Sequence, residues 1–432
     1  MPSPPALFRL YRAVTPLIQP LAWRVMARKL RAHGVDAERA RERLGRATLP
    51  RPDGPLIWFH AASVGESLSV LSLIAKLGER LPRAAFLITS GTATSAELIE
   101  KRMPPRCRHQ FAVMDAPGPV GRFLDHWRPD AALFVESEIW PLMIVEAANR
   151  GVPLALINAR LSAKSVAGWK KRPVTARFLF CHFALLMAQT RATAGDLVAL
   201  GAPEDRVAVG VNLKTTSAPP PVNAQTVAAL RAQIGARPVW LAASTHTGEE
   251  EVVLAAHRQL LGDRPDLLLL IAPRHPERGD AVAALIERGG FSCARRSRGK
   301  EIGANTQVYL ADTLGETGAW YTLAPFAFLG ASLVDKGGHN PHEPAQFGVP
   351  LITGPHLDNA RAGYEALRAA GGLVEVRDAA TLAATVADWL DHPARLAAAQ
   401  DGARSLSRRG DDALEGLMDR LCAALDLGAG LG

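Results

Sequence analysis

Leu56-Ile57-Trp58-Phe59-His60-Ala61-Ala62-Ser63-Val64-Gly65-Glu66-Ser67 is the stretch that decides how this chain folds. The run Leu56–His60 is short, apolar and aromatic, the signature of a strand buried on both faces. A small-residue turn follows, and a helical pattern then runs from about Gly65 to Arg80. In an open parallel sheet, ligands sit beyond the carboxyl ends of the strands. The junction therefore aims its one acid, Glu66, at a ligand site. A carboxylate in a first helical turn is also favoured by the macrodipole alone. At this point Glu66 is either a catalytic group or a helix-end charge.

Working outward, strand and helix patterns alternate from Pro55 to about Val211. The expected strands are Leu56–His60, Ala84–Thr89, His109–Val113, Ala131–Val135, Pro153–Ile157, Leu185–Ala188 and Val207–Val209. Alternation of this kind predicts a parallel α/β sheet. Ala218-Pro219-Pro220-Pro221-Val222 breaks the pattern and reads as a semi-rigid linker. A second alternating region has expected strands Val239–Ala243, Leu267–Ala272, Gln307–Leu310, Phe326–Leu329, Pro350–Ile352 and Leu373–Val376, and the chain ends in helical sequence. Two doubly wound, Rossmann-like domains of similar size with a cleft between them make the GT-B layout. A two-domain dehydrogenase is the competing architecture, but no G-x-G-x-x-G follows the first strand of either half. The expected organisation is an N-terminal segment over 1–50, a first domain over 51–217, a linker over 218–237 and a second domain over 238–432.

The chain has 432 residues and a formal net charge of +8. The excess is at the front. Met1 to Pro55 holds eleven Lys and Arg against four Asp and Glu. Leu7, Tyr11, Val14, Ile18, Leu21 and Val25 recur there at helical spacing among arginines, interrupted by Pro16 and Pro20. The apolar part is too short to span a bilayer comfortably. It reads as a basic amphipathic segment lying on an anionic membrane surface. A signal anchor and a helix packed on the first domain are the alternatives. Basic residues interleaved with aromatics are absent, which argues against nucleic acid. The four cysteines are widely spaced, which predicts neither disulfides nor a structural metal.

Polar clusters follow the expected strand ends: His60–Glu66, Glu136-Ser137-Glu138, Asn158-Ala159-Arg160, Ser244-Thr245-His246, Pro273-Arg274-His275 and Gly330-Ala331-Ser332 among them. Glu136 and Glu138 would face one side in extended chain. One would cap the helix opening at Trp140-Pro141 and the other face the cleft, and spacing does not say which is which. In Gly337-Gly338-His339-Asn340-Pro341-His342-Glu343-Pro344, Asn340 suits an N-cap, Pro341 the first helical position and Glu343 a capping box. The same helix start could bind phosphate, and Glu343 could accept from ribose hydroxyls. Arg274 suits phosphate or a strand-end salt bridge. Lys214 precedes the linker and reads as solvated or as a hinge-side cation. His246, His257, His275, His339, His342 and His356 crowd the second half, without metal-ligand spacing, and read as surface or ligand-contact groups.

Taken in order, these segments resemble the 3-deoxy-D-manno-octulosonic acid (Kdo) transferases. The matching motifs are His60–Glu66, Glu136-Ser137-Glu138-Ile139-Trp140-Pro141, Asn158-Ala159-Arg160-Leu161-Ser162, Ser244–Glu250, Pro273–Arg278 and Gly337–Glu343. They extend over nearly the whole chain. The resemblance implies a GT-B enzyme taking Kdo from CMP-Kdo and adding it, with inversion, to the lipid A precursor lipid IVA in lipopolysaccharide synthesis. It implies Glu66 as general base, with Glu136 and Lys214 stabilising the transition state. It implies Pro273, Arg274, Leu314, Gly315, Glu316, Asn340, Pro341, His342 and Glu343 as CMP contacts. It further implies no cofactor, no metal and a place at the cytoplasmic face of the inner membrane. Val211 stands where the family more often has Gly or Ser. His342 stands where many relatives carry an aliphatic residue, which suits a main-chain contact. Two other classes compete: a different GT-B enzyme such as an epimerase, and a silent sugar-nucleotide binder that would have lost its catalytic glutamate.

Overall fold

The computed structural model describes residues 3–210, 212–213 and 219–428. The chain divides into two compact units, one of residues 1–218 with 412–432 and one of residues 219–411. Each is built on a seven-stranded, wholly parallel sheet with helices between successive strands. The first sheet contains β1 (Leu56–His60), β2 (Ala85–Ser90), β3 (Cys107–Phe111), β4 (Ala131–Val135), β5 (Leu154–Ala159), β6 (Phe183–Ala188) and β7 (Val207–Val209), ordered β3-β2-β1-β4-β5-β6-β7. The second contains β8 (Val239–Thr245), β9 (Leu268–Pro273), β10 (Cys293–Arg295), β11 (Val308–Leu310), β12 (Ala327–Leu329), β13 (Leu351–Thr353) and β14 (Leu373–Glu375), ordered β10-β11-β9-β8-β12-β13-β14.

The apolar runs are explained by burial on both faces. Leu56 and Trp58 enter one core cluster of the first unit, while Ile57 and Phe59 enter the other. In the second unit Leu268 and Leu270 face one core, Leu269 and Ile271 the opposite one. Each such fully buried side chain contributes roughly 1.5–3 kcal/mol relative to exposure. Strand order reverses between β1 and β4 in the first sheet, and between β8 and β12 in the second. At such a switch point the connections leave in opposite directions and open a crevice beyond the carboxyl ends of the strands.

Three boundaries differ from the sequence reading. The expected linker over 218–237 contains a helix, Ala224–Ile234, whose Leu230 and Ile234 are buried in the second unit's core. The C-terminal helix Pro393–Ala424 starts in the second unit, where Ala399, Ala403 and Leu406 are buried, but its end from about residue 412 belongs to the first. Leu414, Leu417, Met418 and Leu421 pack under Ile57, Phe59 and Ile74 of the first unit. The N-terminal segment is also more integrated than expected. Its helix Ala6–Ala32 runs through Pro16 and Pro20, both exposed. Phe8 packs against the Phe178 ring, and the Tyr11 hydroxyl donates to Asp115 at 2.9 Å. Beyond that helix, Glu42 is fully buried and accepts the Phe111 N–H at 2.7 Å, so residues 37–50 belong to the unit's packing. The helix's outer face nevertheless exposes Leu10, Leu17, Ile18, Leu21 and Val25. Among the described residues, no helix is long and apolar enough to cross a membrane.

Candidate active site

In the first unit, the small-residue turn after β1 lets Ser63 cap the helix Val64–Arg80. Glu66 completes a capping box, its Oε2 accepting from Ala62 N at 2.8 Å and Ser63 N at 3.2 Å. Its Oε1 carries no hydrogen bond among the described residues. The two readings of Glu66 are thus compatible, because one oxygen takes both backbone N–H groups of the helix start and the other takes neither. Burial, then the charge of Glu138, raise its pKa against the lowering pull of those N–H donors.

Glu138 occupies its place through His60. At the end of β1 the His60 ring is buried, bonded to Thr89 Oγ1 at 3.0 Å, with Nε2 3.2 Å from Glu138 Oε2. Burial by itself would raise the Glu138 carboxyl, but His60 and the Trp140 indole N–H hold it below the usual range. Glu136 and Glu138 do not share a side. The chain turns at Glu136, whose φ of 54° ends the alternation of extended backbone. Glu136 is buried, 3.4 Å from the Asn158 amide. Neither acid caps the helix Pro141–Asn149. Asp115 does so from another loop, accepting from Leu142 N at 3.1 Å and Met143 N at 2.8 Å. Leu213, next to Lys214 in sequence, donates its N–H to Asn158 Oδ1 at 3.2 Å. Lys214 itself lies outside the described residues.

In the second unit, Glu249 organises the switch point. Fully buried, it accepts from His246 N, Ala331 N, Ser332 N and Leu333 N at 2.8–3.0 Å, tying the turn after β12 to the end of β8. Glu250, equally buried, pairs with Arg278 at 2.8 Å and with Thr245 Oγ1 at 2.9 Å. Pro273 ends β9, and Arg274 follows with an exposed side chain that forms no ion pair among the described residues. Leu314, Gly315 and Glu316 form the turn after β11. Leu314 is 82% exposed, and Glu316 is gripped by Arg296 at 2.6 Å and 3.0 Å, which lowers its pKa.

The Gly337–Glu343 loop departs from the expected cap. The helix is a single turn, His342–Ala345, with Pro341 as its N-cap, and Asn340 Oδ1 accepts from His342 N at 3.1 Å. One turn carries little macrodipole, so the dipole's pull on a phosphate expected here is largely absent. Both glycines are required. At Gly338, φ is 75° and a Cβ would stand 2.8 Å from the Tyr364 hydroxyl. His339 stacks on His246, their Nε2 atoms 3.1 Å apart, and burial holds both rings below the ordinary range. His257 is neither a surface nor a ligand-contact group. It is a satisfied core residue between the Trp240 indole and the Gln307 carbonyl. Among the described residues, no three His, Cys, Asp or Glu side chains gather as a metal site.

Of the non-glycine residues with left-handed φ, Glu136, Asn158, Ser244 and Ala331 all lie at the carboxyl ends of β4, β5, β8 and β12. Such a conformation costs roughly 1–2 kcal/mol per residue and concentrates at functional sites. The strain thus marks the same two sheet edges as the expected site residues. Sequence reasoning missed the His60–Glu138 pairing, Asp115 and the anchoring role of Glu249. All three depend on residues brought together from separate loops.

Comparison with known proteins gives the same direction. The family model described as 3-Deoxy-D-manno-octulosonic-acid transferase (kdotransferase) matches residues 38–217. A 3-deoxy-D-manno-octulosonic acid transferase of Haemophilus influenzae is 35% identical, covering 80% of this chain and 82% of its own. One of Bordetella pertussis is 34% identical, covering 92% and 96%. A solved structure of a putative UDP-N-acetylglucosamine 2-epimerase from Listeria monocytogenes is similar in fold, with a TM-score of 0.55 at 13% identity, covering 86% of this chain and 96% of its own.

Proposed function

The chain belongs to the 3-deoxy-D-manno-octulosonic acid transferase family, a glycosyltransferase of GT-B architecture, and from that premise we propose that it transfers Kdo from CMP-Kdo to lipid IVA with inversion and without a metal ion. The observation that carries this reading is Glu66, half-buried at the first switch point with a raised pKa and one oxygen free of the backbone N–H groups. An acceptor hydroxyl is a poor nucleophile and needs a positioned base. Glu66 takes its proton as the hydroxyl oxygen bonds to C2 of Kdo. The C2–O bond to CMP breaks from the opposite face, and its electron pair leaves with the phosphate. That phosphate gains negative charge, which Arg274 and Lys214 offset together with the N–H groups around Asn340. Pro273, Leu314–Glu316 and Pro341–Glu343 hold the nucleotide, and Glu136 supports the transition state. With those cations and no D-x-D motif, the reading needs no metal.

The test is incubation with CMP-Kdo and tetraacylated lipid A precursor, in Mg²⁺ and in EDTA, followed by mass spectrometry of the lipid. Equal addition of Kdo under both conditions is expected. No mass gain, or a gain only with Mg²⁺, overturns the donor–acceptor assignment or the metal-free step respectively.

We also propose that the enzyme acts at the cytoplasmic face of the inner membrane in the lipopolysaccharide inner-core pathway, held there by the outer face of helix Ala6–Ala32. Supporting this, Leu10, Leu17 and Leu21 are 59%, 80% and 64% exposed, with Arg9, Arg24 and Arg28 exposed on the same helix. Deleting the helix would also remove Phe8 and Leu30 from the fold, so surface substitutions are the cleaner test. A Leu10→Ser, Leu17→Ser, Leu21→Ser triple variant should no longer sediment with anionic phospholipid vesicles. Sedimentation as in the wild type would remove the helix from membrane binding.

A further inference from the structure

The helix Ala6–Ala32 packs closely at both ends but stands off the sheet in its middle. Phe8 and Thr15 are buried towards one end, Ala27 and Leu30 at the other. Between them a chamber of about 350 Å³ opens at the carboxyl edge of the first sheet. Ile18, Ala22 and Met26 line it from the helix, and Met114 and Met143 from the opposite side. Most of its open wall is apolar, but Arg43, His60, Asp115 and Glu138 also line it, Asp115 being held by Tyr11 and two backbone N–H groups and Glu138 by His60 and Trp140. Arg43 lines the chamber, is only 8% exposed, and has no carboxylate partner among the described residues. Its guanidinium donates to the Ala112 and Gly91 carbonyls, but its Nε–H has no partner. A buried cation without a counter-charge is costly unless a ligand supplies one.

The chamber also adjoins the residues that hold the proposed base. Ala62 and Glu138 are among its lining residues. The Ala62 N–H holds Glu66 Oε2, and the Glu138 charge acts on Glu66. Ile18 belongs both to the chamber and to the helix's exposed apolar face, so a chain entering from that face need not cross water. We propose that this chamber seats one acyl chain of the phosphorylated lipid acceptor, with Arg43 answering the negative charge of its head and the sugar hydroxyl thereby brought to Glu66. This rests on the lipid-acceptor reading above and deepens it, making the acyl chain a positioning element and Arg43 a specificity residue.

The full-length enzyme is assayed with CMP-Kdo against the tetraacylated precursor and the same phosphorylated disaccharide stripped of its acyl chains. Ala22→Trp and Met26→Trp fill the chamber from half-buried helix positions. They should raise KM for the acylated acceptor about tenfold or more, leaving kcat/KM for the stripped acceptor unchanged. Arg43→Met should raise KM for both acceptors and leave KM for CMP-Kdo alone. Thermal melts confirm that the variants fold. Folded Trp variants with the wild-type KM for the acylated acceptor overturn the chamber assignment alone. A wild type that transfers to neither acceptor overturns the function reading itself.

Discussion

Glu66→Gln is expected to lower kcat about 10²–10⁴-fold, the usual worth of a positioned general base, without unfolding the protein. Glutamine keeps the capping box, because its carbonyl can still accept from Ala62 and Ser63. The sign of the stability change follows from the raised pKa. A carboxyl raised in the folded state adds stability below its unfolded pKa, and that contribution is lost as pH rises through the folded value. At neutral pH the ionised Glu66 is therefore a small cost that the amide lacks, so the variant should melt at or slightly above the wild type. The base works only when deprotonated, so the acid limb of wild-type activity should lie at higher pH than for an unperturbed glutamate. Glu138→Gln removes one of the two raising causes and should move that limb to lower pH, while burial keeps it partly raised. An acid limb unchanged in Glu66→Gln would remove Glu66 from the proton-transfer step.

The second large effect is structural. Glu249→Ala strips the acceptor from four backbone N–H groups at the second switch point. Leaving buried donors unsatisfied costs about 1–3 kcal/mol for each group. Water entering the new space recovers part of this, so a net loss of at least about 3 kcal/mol is expected. Glu249→Gln should fall between, since its NH₂ cannot accept and two of the four donors then face another donor. Urea unfolding of the full chain reads both. The turn Gly330-Ala331-Ser332 also pairs with the Gly337–Glu343 loop, proposed above to hold the nucleotide, through Gly338 N to Ala331 O at 2.7 Å. Loosening it should therefore raise KM for CMP-Kdo as well. An alanine variant as stable as the wild type would mean that Glu249 does not carry this turn.

The sheets were readable because their central strands are buried on both faces and therefore almost uniformly apolar, as at Leu56–His60 and Leu268–Pro273. The strand missed, Cys293–Arg295, has three residues at a sheet edge, where Arg295 reaches out to Asp312 and Asp280. Prolines misled at the front. Pro16 and Pro20 lie on the exposed side of their helix, where water can satisfy the carbonyls they leave without donors. Glu66 was legible because its helix, cap and acid are contiguous in sequence. Asp115 was not, since its work is to cap a helix 26 residues further on, at Pro141, and to anchor Tyr11 far upstream. Arg43 gave no signal at all. An arginine in a basic stretch looks solvated until the fold shows what surrounds it.

The last helix has a consequence for the order in which this protein is made. Leu414, Leu417, Met418, Leu421 and Leu425 seal one face of the sheet that begins at Leu56. On the ribosome, the earliest unit to emerge is therefore the latest to be finished, its strands waiting through the synthesis of an entire second unit for their cover. A premature stop near the end of the message would spare the sheet encoded just before it and injure the one encoded first.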